Sequence, residues 1–343
     1  MADIQLKTIL ATRFSAMGDA AMTIPVMLKV LEANPGIQIV FVSNRNWAAL
    51  CEGIPRLVFH PADLKGAHKG LKGLYRLFRE LRAAYRIDAV ADLHNVLRSR
   101  VVRTLFRLTG TPVRGIDKGR DEKKALTRKE NKELKQLTTT VERYALVFRQ
   151  LGYSCALTAL APEKSAVSAS VPQKAAKKWI GVAPFATYRE KTYPIEKMEQ
   201  AIAALWKRKD ADILLFGGGK NETALLNEIA ARYPGVQVMA GKYSLSEELS
   251  IIRQLDVMVS MDSANMHLAS LFAVPVVSIW GATHPFAGFM GYGQLEANVV
   301  QTDLYCRPCS VFGNKPCYRG DHACMENIKP ETISTKVEQV CGL

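Results

Sequence analysis

An aspartate closes a run of small residues in Arg13-Phe14-Ser15-Ala16-Met17-Gly18-Asp19, where a β-rich segment gives way to an apolar helix. Small residues let a ligand approach the backbone, and a helix N-terminus favours negative charge. A carboxylate placed there can take a proton from a bound hydroxyl. An Asp at a helix start more often caps the free N–H groups, and chemistry alone favours the cap.

Gly217-Gly218-Gly219 ends another β-rich run, with Glu222 just beyond. The run lacks the GxGxxG spacing and the Walker lysine, so a tight turn explains it as well as a phosphate loop does. Glu222 is placed to hydrogen-bond a ribose hydroxyl. The third segment is Asp262-Ser263-Ala264-Asn265-Met266-His267-Leu268-Ala269, followed by Pro275 and by Gly281-Ala282-Thr283-His284-Pro285. Here a strand ends in a polar turn that opens an apolar helix. Backbone N–H groups at such a turn can hold a pyrophosphate without a metal. His267 can donate to a phosphate oxygen or serve as a satisfied structural histidine.

Four of the seven cysteines fall in Cys306-x2-Cys309-x7-Cys317-x6-Cys324, with His322 close by. The spacing is compatible with structural zinc, with free thiols or with a redox-labile disulfide. No carboxylate pair stands at metal-ligand spacing, so no cofactor is expected for catalysis and the reaction is read as metal-independent.

Alternating strands and helices must position these residues. Lys7–Thr12 and Ile37–Ser43 read as strands around an apolar helix from Asp19 to Ala33, with a turn at Asn34-Pro35-Gly36. A basic amphipathic helix runs through Leu71, Leu74, Leu77, Phe78 and Leu81 before the strand Ile87–Leu93. A helix spans Thr139 to Leu151, and the Ala, Ser and Pro-rich stretch Ser154–Gln173 reads as the linker. The pattern then restarts: strands at Trp179–Ala183, Asp212–Phe216, Val236–Met239, Asp256–Ser260 and Val274–Trp280, helices at Ile195–Trp206 and Glu222–Arg232, and an N-cap at Ser246. The expected class is α/β, two doubly wound parallel-sheet domains with ligands at strand C-termini.

The 343 residues suffice for two domains, and 48% hydrophobic with 23% charged residues is a globular composition. No stretch has the apolar length of a membrane span or the pattern of a signal peptide, so cytoplasmic residence is expected. Residues 1–165 carry 28 Lys and Arg against 15 Asp and Glu, whereas residues 166–343 carry 18 against 17. An excess of positive charge in one half points to an anionic partner. No stacking platform or recognised motif accompanies it, so nucleic acid is not expected.

Together these segments resemble glycosyltransferase family 9, the ADP-heptose:lipopolysaccharide heptosyltransferases. The family's basic residue, small residues and Met-Gly-Asp are matched by Arg13 to Asp19, and its Asp-(Ser/Thr)-Gly-x-x-His-Leu-Ala segment by Asp262 to Ala269, with Ala264 where glycine is usual. Its Lys-x-aromatic-Pro is matched by Lys191-Thr192-Tyr193-Pro194 after Thr187, its Gly-Gly pair and acid by Gly217, Gly218 and Glu222, and its Gly-x-Thr-x-Pro by Gly281 to Pro285. If the glycine supplies a positive φ, Ala264 requires a slightly different loop.

The resemblance implies the GT-B fold, two Rossmann-like domains facing across a cleft: an acceptor domain at 1–160, a nucleotide-sugar domain at 175–325, and a helix at 326–343 returning to the first domain. It implies inverting transfer of a heptose or related hexose-type sugar from an ADP-sugar to the lipopolysaccharide inner core or a similar anionic glycolipid. The expected place is the cytoplasmic face of the inner membrane, in peripheral contact. Asp19 becomes the general base. Thr187, Lys191, Gly217, Gly218, Glu222, Asp262, Ser263, Ala264, His267 and Thr283 become donor-site residues. Arg13, Ser15, Met17, Gly18, His94, Arg98 and Arg100 become acceptor-site residues. A GT-B-fold sugar-nucleotide epimerase or hydrolase is the alternative.

Overall fold

In the computed structural model the described residues are 6–158 and 168–343, so part of the linker expected at Ser154–Gln173 lies outside them. The chain divides into two compact units. The first comprises the described residues of Met1–Lys118 and Thr140–Ala159, and the second those of Gly119–Thr139 and Leu160–Leu343.

The first unit runs β1 (Lys7–Thr12), α1 (Met17–Ala21), α2 (Thr23–Ala33), β2 (Ile37–Asn44), β3 (Leu57–Ala62), α3 (Gly70–Ala84), β4 (Ala89–Asp92), α4 (Leu97–Leu108) and β5 (Val113–Gly115). After α5 (Arg120–Leu126), which belongs to the second unit, α6 (Thr140–Gln150) completes the first. Its five strands are parallel in the order β3-β2-β1-β4-β5. The central strands are apolar along their whole length because helices cover both faces; Ile9, Leu10, Ala11, Val90 and Ala91 are fully buried.

The single helix expected from Asp19 to Ala33 is two. Pro25 has no N–H to give the carbonyl of Ala21, and the chain breaks at Met22. In α3 the residues Leu74, Leu77, Phe78 and Leu81 form the buried stripe, while Leu71 in the first turn stays exposed.

The second unit contains β6 (Lys178–Ala183), α7 (Ile195–Trp206), β7 (Ala211–Leu215), α8 (Gly219–Arg232), β8 (Gln237–Val238), α9 (Leu245–Ile252), β9 (Val257–Met261), α10 (Ala264–Ser270), β10 (Val276–Trp280), β11 (Val299–Gln301), α11 (Ala323–Glu326) and α12 (Pro330–Cys341). Its six parallel strands are ordered β11-β10-β9-β6-β7-β8. The N-cap of α9 is Ser244 rather than Ser246. Ser244 Oγ accepts from Glu247 N–H at 3.4 Å while Glu247 Oε2 accepts from Ser244 N–H at 2.9 Å, a reciprocal capping box.

Two boundaries differ from the sequence reading. Gly119–Thr139, expected within the first domain of 1–160, packs in the second unit. Leu126 and Leu137 are buried there with Ala287, Leu137 N–H donates to Phe286 O at 2.9 Å, and Lys132 Nζ donates to Pro308 O at 2.9 Å. The helix expected at 326–343 to return to the first domain instead lies on the second unit's own core. Ile333 and Val337 of α12 are fully buried in the cluster that contains Met198 and Ile202 of α7.

Candidate active site

In each unit the strand order reverses beside the first strand, between β1 and β4 in one and between β6 and β9 in the other. Loops leaving adjacent strands there diverge to opposite faces and open a crevice at the carboxyl ends. The sequence candidates concentrate at these two places.

In the first unit, Arg13 follows β1 and is buried. Its guanidinium donates to Leu93 O at 3.1 Å and pairs with Asp19. Asp19 is the third residue of α1, not its N-cap. Ala16 occupies the cap, and Asp19 Oδ2 accepts from Ala16 N–H at 3.2 Å. The Asp19 side chain is 28% exposed, so a carboxylate oriented by two donors still reaches solvent. Ser15 and Ala16 are exposed, and Met17 and Gly18 half-buried, beside it.

The loop after β4 is fixed by Asp92. Its Oδ1 accepts from His94 N–H at 3.0 Å and from Asn95 N–H at 2.7 Å, and Arg103 Nη1 lies 3.3 Å from Oδ2. His94 Nδ1 accepts from Phe14 N–H at 3.2 Å, which joins the two loops and leaves the ring hydrogen on Nε2. Burial, reinforced by the charge of Arg13, pushes His94 down to about 3, so the imidazole is neutral. Arg98 and Arg100 stand exposed in the first turn of α4, and Arg100 Nε donates to Asn95 Oδ1 at 2.8 Å. Sequence reading missed Tyr144, fully buried on α6, whose ring centroid lies 5.9 Å from the Arg13 guanidinium and whose hydroxyl has no hydrogen-bond partner among the described residues. An aromatic in an amphipathic helix gives no signal that it backs a loop in another part of the sequence.

In the second unit, Lys191 Nζ meets Asp262 Oδ2 at 3.2 Å, bringing the loop after β6 against the turn after β9. Both side chains are largely buried, 14% and 7% exposed. Ser263 caps α10 and its Oγ lies 3.2 Å from Ser260 Oγ. Ala264 is the first helical residue of α10 and is absent from the positive-φ positions, so the turn here does not demand glycine. His267 is buried in the same helix. Thr187 is exposed at the tip of the loop after β6. Glu222 Oε2 accepts from Gly218 N–H at 2.7 Å, so one carboxylate oxygen caps α8 and the other is left for a ligand. Gly217 packs tightly, since a Cβ there would lie 3.0 Å from Leu226 Cδ1 and 3.2 Å from Glu222 Oε2.

Thr283 is fully buried after β10 and its hydroxyl has no hydrogen-bond partner among the described residues. The loop that carries it is held by Arg307, whose guanidinium donates to Gly281 O, Thr302 O, Thr283 O and Gln301 Oε1. The N–H groups of Cys309 and Ser310 both donate to Ala282 O, and Ala282 N–H donates to Glu190 O. The cysteine-rich segment thus braces the Thr283 and Lys191 loops, and Gly313 (φ +74°) leaves room for the Lys191 stem, which a Cβ would meet at 2.3 Å. Sequence reading saw cysteines here and missed the arginine between them. Burial, then the charge of Arg307, lowers His284 to about 4. Cys306, Cys309, Cys317 and Cys324 form no disulfide. Among the described residues no group of three or more His, Cys, Asp and Glu is gathered to hold a metal.

Two doubly wound parallel-sheet domains, each with a candidate crevice at its switch point, define the GT-B class of α/β fold. Residues 74–316 match the model of glycosyltransferase family 9 (heptosyltransferase), and the chain belongs to that family. It is 33% identical over 136 residues to lipooligosaccharide heptosyltransferase 2 of Campylobacter jejuni, a stretch of 38% of this chain that spans 40% of that relative's length. It is 24% identical to lipopolysaccharide heptosyltransferase 1 of Pseudomonas aeruginosa over 96% of this chain and 97% of that one. The structure of E. coli heptosyltransferase WaaC with ADP aligns with a TM-score of 0.71 at 20% identity, over 97% of this chain and 99% of the other, and shares the fold.

Proposed function

We propose that this protein transfers a heptose, or a related sugar, from an ADP-sugar to an anionic glycolipid of the lipopolysaccharide inner-core type, inverting the anomeric centre. The family match across residues 74–316 carries the reading and speaks against an epimerase or hydrolase. The relatives named as lipopolysaccharide and lipooligosaccharide heptosyltransferases support the sugar and the acceptor class, and a related structure holding ADP supports the nucleotide.

In this mechanism Asp19 takes the proton of the acceptor hydroxyl as it attacks. Arg13 and the Ala16 N–H fix the carboxylate, with one face open to solvent. Lys191 and His267 supply positive potential and hydrogen bonds to the departing diphosphate, and the second carboxylate oxygen of Glu222 meets the ribose. The reaction so written uses the chain's own cations on the leaving group and needs no metal.

The acceptor lies against the first unit, where 20 Lys and Arg face 10 Asp and Glu. Ser15, Met17, Gly18, His94, Arg98 and Arg100 form the contact. Among the described residues no helix is long and apolar enough to cross a membrane. The proposed location is cytoplasmic, with the basic faces of α3 and α4 resting on anionic lipid. Incubating the protein with ADP-heptose and a purified inner-core glycolipid, in the presence of a chelator, tests the reading by mass spectrometry. A heptose added to the glycolipid is expected; release of free sugar without transfer would overturn it in favour of a hydrolase.

A further inference from the structure

A second cationic feature stands apart from the residues given roles above. In the second unit a cavity of about 130 Å³ is lined by Arg128, Lys129 and Lys315, with Thr127, Tyr318 and the thiols of Cys306 and Cys309. No carboxylate lines it. Most cations nearby are already committed. Arg307 is spent on backbone carbonyls, Lys132 on Pro308 O at 2.9 Å, and Arg319 on Asp321 at 2.7 Å. Lys129 Nζ lies over the Tyr318 ring, 4.7 Å from its centroid. Arg128 and Lys315 have no ion-pair partner among the described residues.

The remaining wall is made by Thr127, Pro316, Tyr318 and the sulfurs of Cys306 and Cys309. Thr127 Oγ1 donates to Lys123 O at 2.9 Å. Three cationic side chains line one small space with no carboxylate among them, and an anion placed there offsets their mutual repulsion. The volume is a few times the roughly 30 Å³ share of one water and well below the roughly 300 Å³ at which pockets begin to hold drug-sized ligands. It is large enough for a tetrahedral oxyanion. An Arg fork with two Lys point charges is the donor set that phosphate takes.

We infer that this cavity is a phosphate-binding site, which takes a phosphate group from an anionic lipid headgroup or from solution. Titration calorimetry with inorganic phosphate, with excess ADP present to fill any nucleotide site, gives one arm. Co-sedimentation with phosphatidylglycerol vesicles, against phosphatidylcholine vesicles, gives the other. The double variant Arg128→Ala/Lys315→Ala removes two exposed, unpaired side chains and is expected to melt as the wild type does. Lys207→Ala/Lys242→Ala removes the same charge elsewhere on the unit. A loss of at least tenfold in phosphate affinity confined to the first variant assigns a soluble phosphate. Loss of vesicle binding confined to it assigns a lipid phosphate, and loss in both arms assigns a site that accepts either. Equal behaviour of the two double variants in both arms, or no binding by the wild type in either, overturns the inference.

Discussion

Arg13 and Asp19 form an ion pair across the turn that leaves β1, with the Arg13 side chain only 9% exposed and Asp19 at 28%. This arrangement sets what a substitution at Asp19 does. Asn keeps an oxygen for the Ala16 N–H and loses the charge that faces Arg13. Asp19→Asn is therefore expected to lower folding stability by about 1–3 kcal/mol, since a nearly buried guanidinium loses a charged partner. Sugar transfer should fall about 10²–10⁴-fold while ADP affinity is kept. Turnover near that of the wild type in the folded variant would leave Asp19 a structural residue.

The pair of Lys191 and Asp262 calls for a different measurement, because neither acts alone. Lys191→Ala strands a buried carboxylate, and Asp262→Ala frees the ammonium. ADP affinity should fall by about 1.5–3 kcal/mol in Lys191→Ala, the worth of a hydrogen bond to a charged group. The losses in the two single variants and the double variant should not add, because the side chains touch. Calorimetry giving additive losses would separate the roles of the two residues.

Arg98 and Arg100 are neighbours on α4 with different surroundings. Arg98 makes no hydrogen bond or ion pair among the described residues, whereas Arg100 holds Asn95. Arg98→Glu is expected to raise the acceptor's KM with kcat and ADP affinity unchanged, and the effect should shrink as salt rises. Arg100→Glu should also lower stability slightly by releasing the Asn95 loop. Loss of ADP binding in Arg98→Glu would refute its assignment to the acceptor.

His94 and His284 give the protein an acid limb. Folded, they titrate at about 3 and about 4, while in the unfolded chain they take protons below about 6.5. Between those values the unfolded state binds more protons. Stability is therefore whole above pH 6.5 and declines as pH falls toward the folded values, by about 1.4 kcal/mol per pH unit for each histidine. Denaturant midpoints measured from pH 7 to pH 5 should fall less steeply in His94→Gln, if that variant folds, than in the wild type. An NMR titration placing His94 near its ordinary value would contradict the buried geometry.

Both doubly wound sheets were legible because buried parallel strands are written as short apolar runs, Ile9–Ala11 and Val276–Ile279 among them, separated by helical periods. The loops at the switch points were legible because each holds small residues next to a polar one. What the residues did not disclose was pairing at long range. Nothing around Arg307 announces that its guanidinium will tie four acceptors of the Thr283 region together, and nothing near Leu137 announces Phe286. Asp19 at the third helical position rather than the cap also escaped, because a one-residue cap such as Ala16 contributes no side-chain oxygen to read.

The placement of Gly119–Thr139 has a consequence for synthesis on the ribosome. The first unit needs α6, which follows this stretch, and can close before any strand of the second sheet exists. Leu137 must wait for Phe286, roughly 150 residues later, an interval of roughly 8–30 s at ordinary elongation rates. During that time the stretch is looped out of a finished neighbour with Leu126 and Leu137 uncovered. Its seven Lys and Arg against four Asp and Glu keep the waiting loop hydrated. The charge density that reads as a surface feature in the finished protein is thus a safeguard for the unfinished one.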